Sequence, residues 1–243
     1  MCKCRGPKFV PLLPQLFCNI MKRFIPLLLL ILLTTVYESG AQETQPGAFR
    51  KFSIGFDFFK DFWLKQPTVV DAKWYSRGAN VNILVNNQMG ESLFDFSYGV
   101  SIGSHNLYTD AWIKDVDKVS VFEKIPDTLH HTKYKINLTY FDFPLEFKYR
   151  AKSNWRYYAG IKLGFLINHK SKYSGLDPET YAYHVTIKRD DVRYVNFWRY
   201  VVYARIGYKW FNIFGQYTLN PTWKDQQGPE MFPVSAGISI MPF

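Results

Sequence analysis

Seven charged residues, Asp57, Asp95, Asp142, Glu146, Lys162, Arg199 and Arg205, sit inside stretches in which every second residue is apolar. On an extended chain alternate side chains point to opposite faces, so each charge shares its face with Gly, Ser or Asn and turns away from neighbouring Phe, Ile, Val and Leu. Carboxylates gathered with ammonium and guanidinium groups on one enclosed face can line a narrow proton or ion path, or they can pair across the enclosed space. An unpaired buried charge is strongly disfavoured, so pairing is the expectation, with Glu146 against Lys162 or Arg205 as the leading pair.

The five histidines, His105, His130, His131, His169 and His184, fall at strand ends or in long connections. A transition-metal site, or a hydrolase that deacylates lipid at a membrane surface, would use such residues. No spacing of carboxylate and nucleophile completes a triad, however, and the adjacent Ser104 and His105 point to opposite faces of a strand. Solvated rim histidines are therefore expected. There is no Gly-rich phosphate loop, and Asn137-Leu138-Thr139 matches the glycosylation acceptor pattern from within a strand. No catalytic residue, metal or cofactor is assigned.

Eight alternating stretches must position these groups. They run over 51–62, 77–86, 92–104, 133–149, 155–168, 198–208, 211–219 and 232–241. The third is the most regular: Phe94, Phe96, Tyr98, Val100 and Ile102 alternate with Asp95, Ser97, Gly99, Ser101 and Gly103. The seventh is less regular. Pro144 lies on the polar side of the fourth, where a missing ladder donor predicts a bulge or local edge. The connections alternate long and short, beginning and ending with a long one, which predicts both chain ends on the periplasmic side and long loops outside the cell.

The fold expected is an all-β, eight-stranded, antiparallel, up-and-down transmembrane β-barrel. Only helices and closed barrels cross a bilayer, because each open backbone polar group in hydrocarbon is costly. Eight strands leave an interior just wide enough for side chains, which argues against a wide pore. A calyx with its apolar face inward around a small ligand is the structural alternative. Lipid-facing rings are favoured because strand ends carry Tyr149, Trp155, Tyr157, Tyr208 and Phe211, suited to an interfacial girdle.

Met21-Lys22-Arg23, the apolar run Phe24 to Leu33 and Ser39-Gly40-Ala41 have the layout of a secretory signal peptide. The division expected is an over-extended start at 1–20, a signal peptide at 21–41 and one barrel domain at 42–243. Cys2, Cys4 and Cys18 are the only cysteines, so the mature part holds neither a disulfide nor a thiolate metal site. Residues 1–41 carry five Lys or Arg and one Glu, leaving 25 basic against 19 acidic residues, a net +6. The charges are interleaved, which excludes a nucleic-acid partner.

Residues 138–149, Leu-Thr-Tyr-Phe-Asp-Phe-Pro-Leu-Glu-Phe-Lys-Tyr, resemble a strand of the PorT-like outer-membrane β-barrel proteins, and Tyr157 to Gly164 is similar to the strand that follows it there. The resemblance implies a non-enzymatic barrel in the outer membrane, partnered by membrane lipid, by the barrel-assembly machinery and by envelope or secretion-system proteins. The family's namesake belongs to the type IX secretion machinery, which makes protein export an alternative role. The terminal Phe243 resembles the signal read by the assembly machinery, although it is out of phase with Ile238 and Ile240, so a bulge at Pro242 is expected.

Overall fold

The computed structural model describes residues 51–151, 153–181 and 183–241. The segments at 1–20 and 21–41, and the terminal Pro242-Phe243, lie outside the described residues. Period-two alternation is realised as strands β1 (Phe52–Leu64), β2 (Arg77–Gln88), β3 (Phe94–Tyr108), β4 (Ala111–Val116), β5 (Val119–Lys124), β6 (His131–Arg150), β7 (Trp155–Leu176), β8 (His184–Arg189), β9 (Trp198–Tyr208), β10 (Phe211–Thr218) and β11 (Phe232–Ile240).

Eight of these, β1, β2, β3, β6, β7, β9, β10 and β11, pair antiparallel in that order, and β1 pairs with β11 from Phe56↔Ile240 to Leu64↔Phe232. The ring is closed and the spanning sheet has no edge. Facing settles which side meets lipid: Phe58 is 53% exposed whereas Asp57 beside it is 0% exposed. The calyx alternative needs the apolar face inside and does not describe this chain. At the short-turn end rings lie tilted against one another around the wall, as Phe94–Tyr149 at 5.0 Å and Trp155–Tyr208 at 5.6 Å. At the long-connection end Phe165 lies 5.7 Å from Phe197 and 6.1 Å from Trp198.

Several sequence expectations are corrected. Pro144 gives the expected local edge and not a bulge: on the β7 side it pairs in register with Lys162. On its other side the β3–β6 ladder skips from Tyr98↔Leu145 to Ser101↔Asp142 without changing register. Gly99, opposite the proline, has no side chain to obstruct a close approach to the Ile83 carbonyl of β2, so the strand can bend there. The register shifts occur instead at His131/Lys133 and Thr139/Tyr140. β10 is in fact a clean alternation, whose inward Phe214 disguises it in the sequence. That ring packs edge-on against the inward Phe59 at 5.9 Å, so part of the lumen is filled by aromatic rings.

The larger difference lies in the long connections. The fifth stretch does not stop at 168: β7 runs on to Leu176 and takes β8 as an additional partner, while β4 and β5 form a separate hairpin. Its tip, Asp117-Lys118, has φ of 49° and 65°, the pair of left-handed residues that a type I′ turn requires. Trp63, Val70, Leu107, Ile113, Phe122, Ile125, Leu129, Ile136, Val192, Trp223 and Met231 then bury one another in a hydrophobic core at this end. The connections thus fold into a cap, stitched by backbone bonds such as Ser120 N to Gln227 O at 2.9 Å and Asn196 N to Thr222 O at 2.8 Å.

Candidate functional site

Alternation on β9 turns Arg199, Val201, Tyr203 and Arg205 inward, so one strand delivers two guanidinium groups to the lumen. Arg199 grips Asp142 of β6 with two donors, Nε to Oδ1 at 2.8 Å and Nη2 to Oδ2. Its Nη1 donates to His105 Nε2 at 2.8 Å, and because a guanidinium only donates, that ring nitrogen accepts. The imidazole proton is therefore on Nδ1, which donates to Asp61 Oδ1 at 3.0 Å. Asp61 also accepts from Ser235. The Tyr140 ring lies 4.1 Å from the Arg199 guanidinium carbon and covers the cation's flat face.

A second layer centres on Arg205, 3.6 Å from Asp57 and 3.5 Å from Glu146. Asp57 accepts from Asn82 at 2.8 Å and Asn80 at 3.3 Å, and Lys148 stands 3.7 Å from Glu146. Of the two partners expected for Glu146, the geometry therefore selects Arg205. Lys162 instead donates to Gln216 at 3.4 Å and lies over the Tyr203 ring at 5.0 Å. Asp95 is held apart from both layers, by Arg150 at 2.8 Å.

His105 is the main correction among the residues read from sequence, since it lies 1% exposed inside the barrel and not on a solvated rim. Its partner Asp61 extends the inward series Ser53, Gly55, Asp57 and Phe59, and continuing that count would have found it. Both layers span the lumen from wall to wall. An arginine does not give up its proton in a protein, so Arg199 and Arg205 interrupt a proton relay, and their permanent charge opposes cation passage. The lumen is arranged as a cross-brace.

In the cap, Lys73 pairs with Asp110, and with Asp71 at 2.8 Å, while His131 Nε2 is 3.4 Å from Asp110 Oδ1. Burial works against the ionised Asp110, yet the hydrogen bonds from Lys73 and His131 outweigh it and hold the carboxyl below its ordinary 3.8. A depressed value means stability that is present above the unfolded value and lost as pH falls through the folded one. Lowering pH from about 5 to about 2 is therefore expected to loosen the cap in a step seen by tryptophan fluorescence, and Asp110→Asn should remove that step.

Also in the cap, a cleft of about 150 Å³ is lined by residues including Trp112, Tyr134, Ser171, Tyr173, Arg189 and Asp191. Burial pushes the Tyr134 phenol up to about 12, and its oxygen accepts from the Ile113 amide at 3.1 Å.

No curated protein sequence matches the chain. Among solved structures, Ail, the attachment invasion locus protein of Yersinia pestis, is similar at 11% identity and TM-score 0.35, covering 78% of this chain and 97% of that one. A second Ail structure, in complex with the heparin analogue sucrose octasulfate, gives 12% identity and TM-score 0.34 over the same shares. The outer membrane protein β-barrel domain family matches over residues 41–220, and the chain, a closed barrel with its rings outward and its charges inward, belongs to that family and to the outer membrane.

Proposed function

We propose that this protein is a non-enzymatic module of the cell envelope, which displays its folded cap outside the cell to an envelope or external partner and keeps both chain ends in the periplasm. The observation that carries this reading is the cap itself. Loops that served only to link strands would not need a core containing Trp223, Phe122, Ile113 and Met231. A rigid, ordered surface costs less conformational entropy when it binds. The cross-braced lumen supports a scaffold role over conduction. A second reading, a PorT-like protein serving a type IX-like secretion system, draws on residues 138–149 and 157–164 and predicts loss of secreted cargo on deletion.

The absence of cysteine after Cys18 makes orientation testable with single introduced thiols. Asp117→Cys at the hairpin tip is expected to react with a membrane-impermeant maleimide on intact cells, and Met89→Cys in an opposite turn only after permeabilisation. The reverse pattern would turn the barrel over and overturn the display role.

A further inference from the structure

The outer wall of the cap end carries a row of lysines that the barrel does not use. Lys135 of β6 is directly opposite Lys172 of β7, and Lys172 is directly opposite Lys188 of β8. Lys133 follows on the same face of β6. Beyond β3, Arg77 of β2 is opposite Lys60 of β1. Like charges facing each other across strands destabilise a sheet. Among the described residues none of Lys60, Arg77, Lys133, Lys135, Lys172 and Lys188 forms an ion pair, whereas nearby Lys170 pairs with Asp190 at 3.7 Å and Lys73 with Asp71 at 2.8 Å. The outward positions of β6 from 133 to 141 and of β7 from 168 to 174 contain no Asp or Glu.

The row is also built into the wall. Lys135 donates to Asn106 at 2.8 Å, and Lys133 and Lys135 both lie over the Tyr108 ring, at 5.1 and 5.7 Å. Partial burial, and then the charges of Lys133, Lys172 and Arg77, hold the Lys135 ammonium below the ordinary lysine range. The sheet thus keeps its cations close together at an electrostatic cost that an arriving anion would relieve.

Height selects the anion. Phe141 is the last lipid-facing ring of β6 on this side, and it lies six positions along the strand from Lys135. That is roughly 20 Å along the strand and about 15 Å along the membrane normal at the usual barrel tilt. The headgroup layer of a simple phospholipid is only about 5–8 Å deep on each side. We infer that Lys135, Lys172 and Lys188 form a docking site for the anionic, phosphate-bearing sugars of a glycolipid headgroup in the leaflet that surrounds the cap. The position of that leaflet rests on the orientation proposed above.

The test uses the folded full chain in detergent, so its outcome does not depend on orientation, which thiol labelling examines separately. The probe is lipopolysaccharide with phosphorylated inner-core sugars, compared with the same material after dephosphorylation and with its water-soluble core oligosaccharide. Lys135→Gln/Lys172→Gln/Lys188→Gln is expected to weaken binding of the phosphorylated lipid by about tenfold, and Lys172→Gln alone by about threefold. Lys209→Gln, at a short turn, should leave it unchanged. Faster migration of unheated protein on a gel verifies folding of each variant, and the single variant carries the test if the triple one does not fold. Wild-type binding by the lysine variants, or equal binding of dephosphorylated lipid, would overturn the site. Equal affinity for the soluble oligosaccharide would overturn its assignment to a membrane-anchored ligand.

Discussion

Arg199→Met is expected to cost the barrel about 3–5 kcal/mol, because it strands the buried Asp142 carboxylate without its partner. Asp142 is 0% exposed and takes both of its charge-assisted hydrogen bonds from this one side chain. The same substitution removes the donor to His105 Nε2 and so frees the imidazole that Asp61 holds from the other side. Urea unfolding in lipid vesicles, followed by the heat-dependent gel shift, measures the loss. The companion variant Asp142→Leu/Arg199→Met separates two explanations. If stranding a charge is the cause, the double variant recovers most of the loss, since replacing a whole buried pair by apolar groups is often close to neutral. A double variant as unstable as the single one would show that the bonds to His105, or simple packing, dominate.

Trp223→Ala is expected to have an effect of the same size, about 3–5 kcal/mol, but confined to the cap. Trp223 is 1% exposed, meets Phe122 edge-on at 5.5 Å and sits where the strand-like bridge to Val195 ties two connections together. Both of these partners, Phe122 and Val195, lie in the long connections. Protease added to intact vesicles should then cut within 111–124 and 221–231, while the unheated, fast-migrating barrel band persists. Loss of that band along with the cap would mean that cap and barrel fold as one cooperative unit. Survival of the cap would mean that its core is not what orders the connections.

The barrel was legible because lipid imposes a local rule. Each residue of the wall is either outward in hydrocarbon or inward in a narrow lumen, so one-dimensional alternation carries the three-dimensional assignment, as in Phe94 to Gly103. The rule weakens where rings also turn inward. Phe214 hid the alternation of β10, and Phe59 hid the continuation of the inward face to Asp61. The hairpin β4–β5 left a readable trace, two short alternations around Asp117-Lys118, but those residues are not the Asn-Gly pair that announces such a turn.

The sequence by itself determined the eight barrel strands, the closure of the barrel and seven of the charges that must be neutralised, because each follows from near-neighbour patterning and the cost of exposing polar groups to lipid. Tertiary structure alone decided which charges meet. Arg205 rather than Lys162 answers Glu146, and His105 is drawn between Asp61 and Arg199, since strand register and barrel stagger set those distances across the lumen. It also decided that the connections close over a core and that Lys135, Lys172 and Lys188 stand abreast. Both depend on contacts between segments far apart in the chain, about which local pattern carries no information.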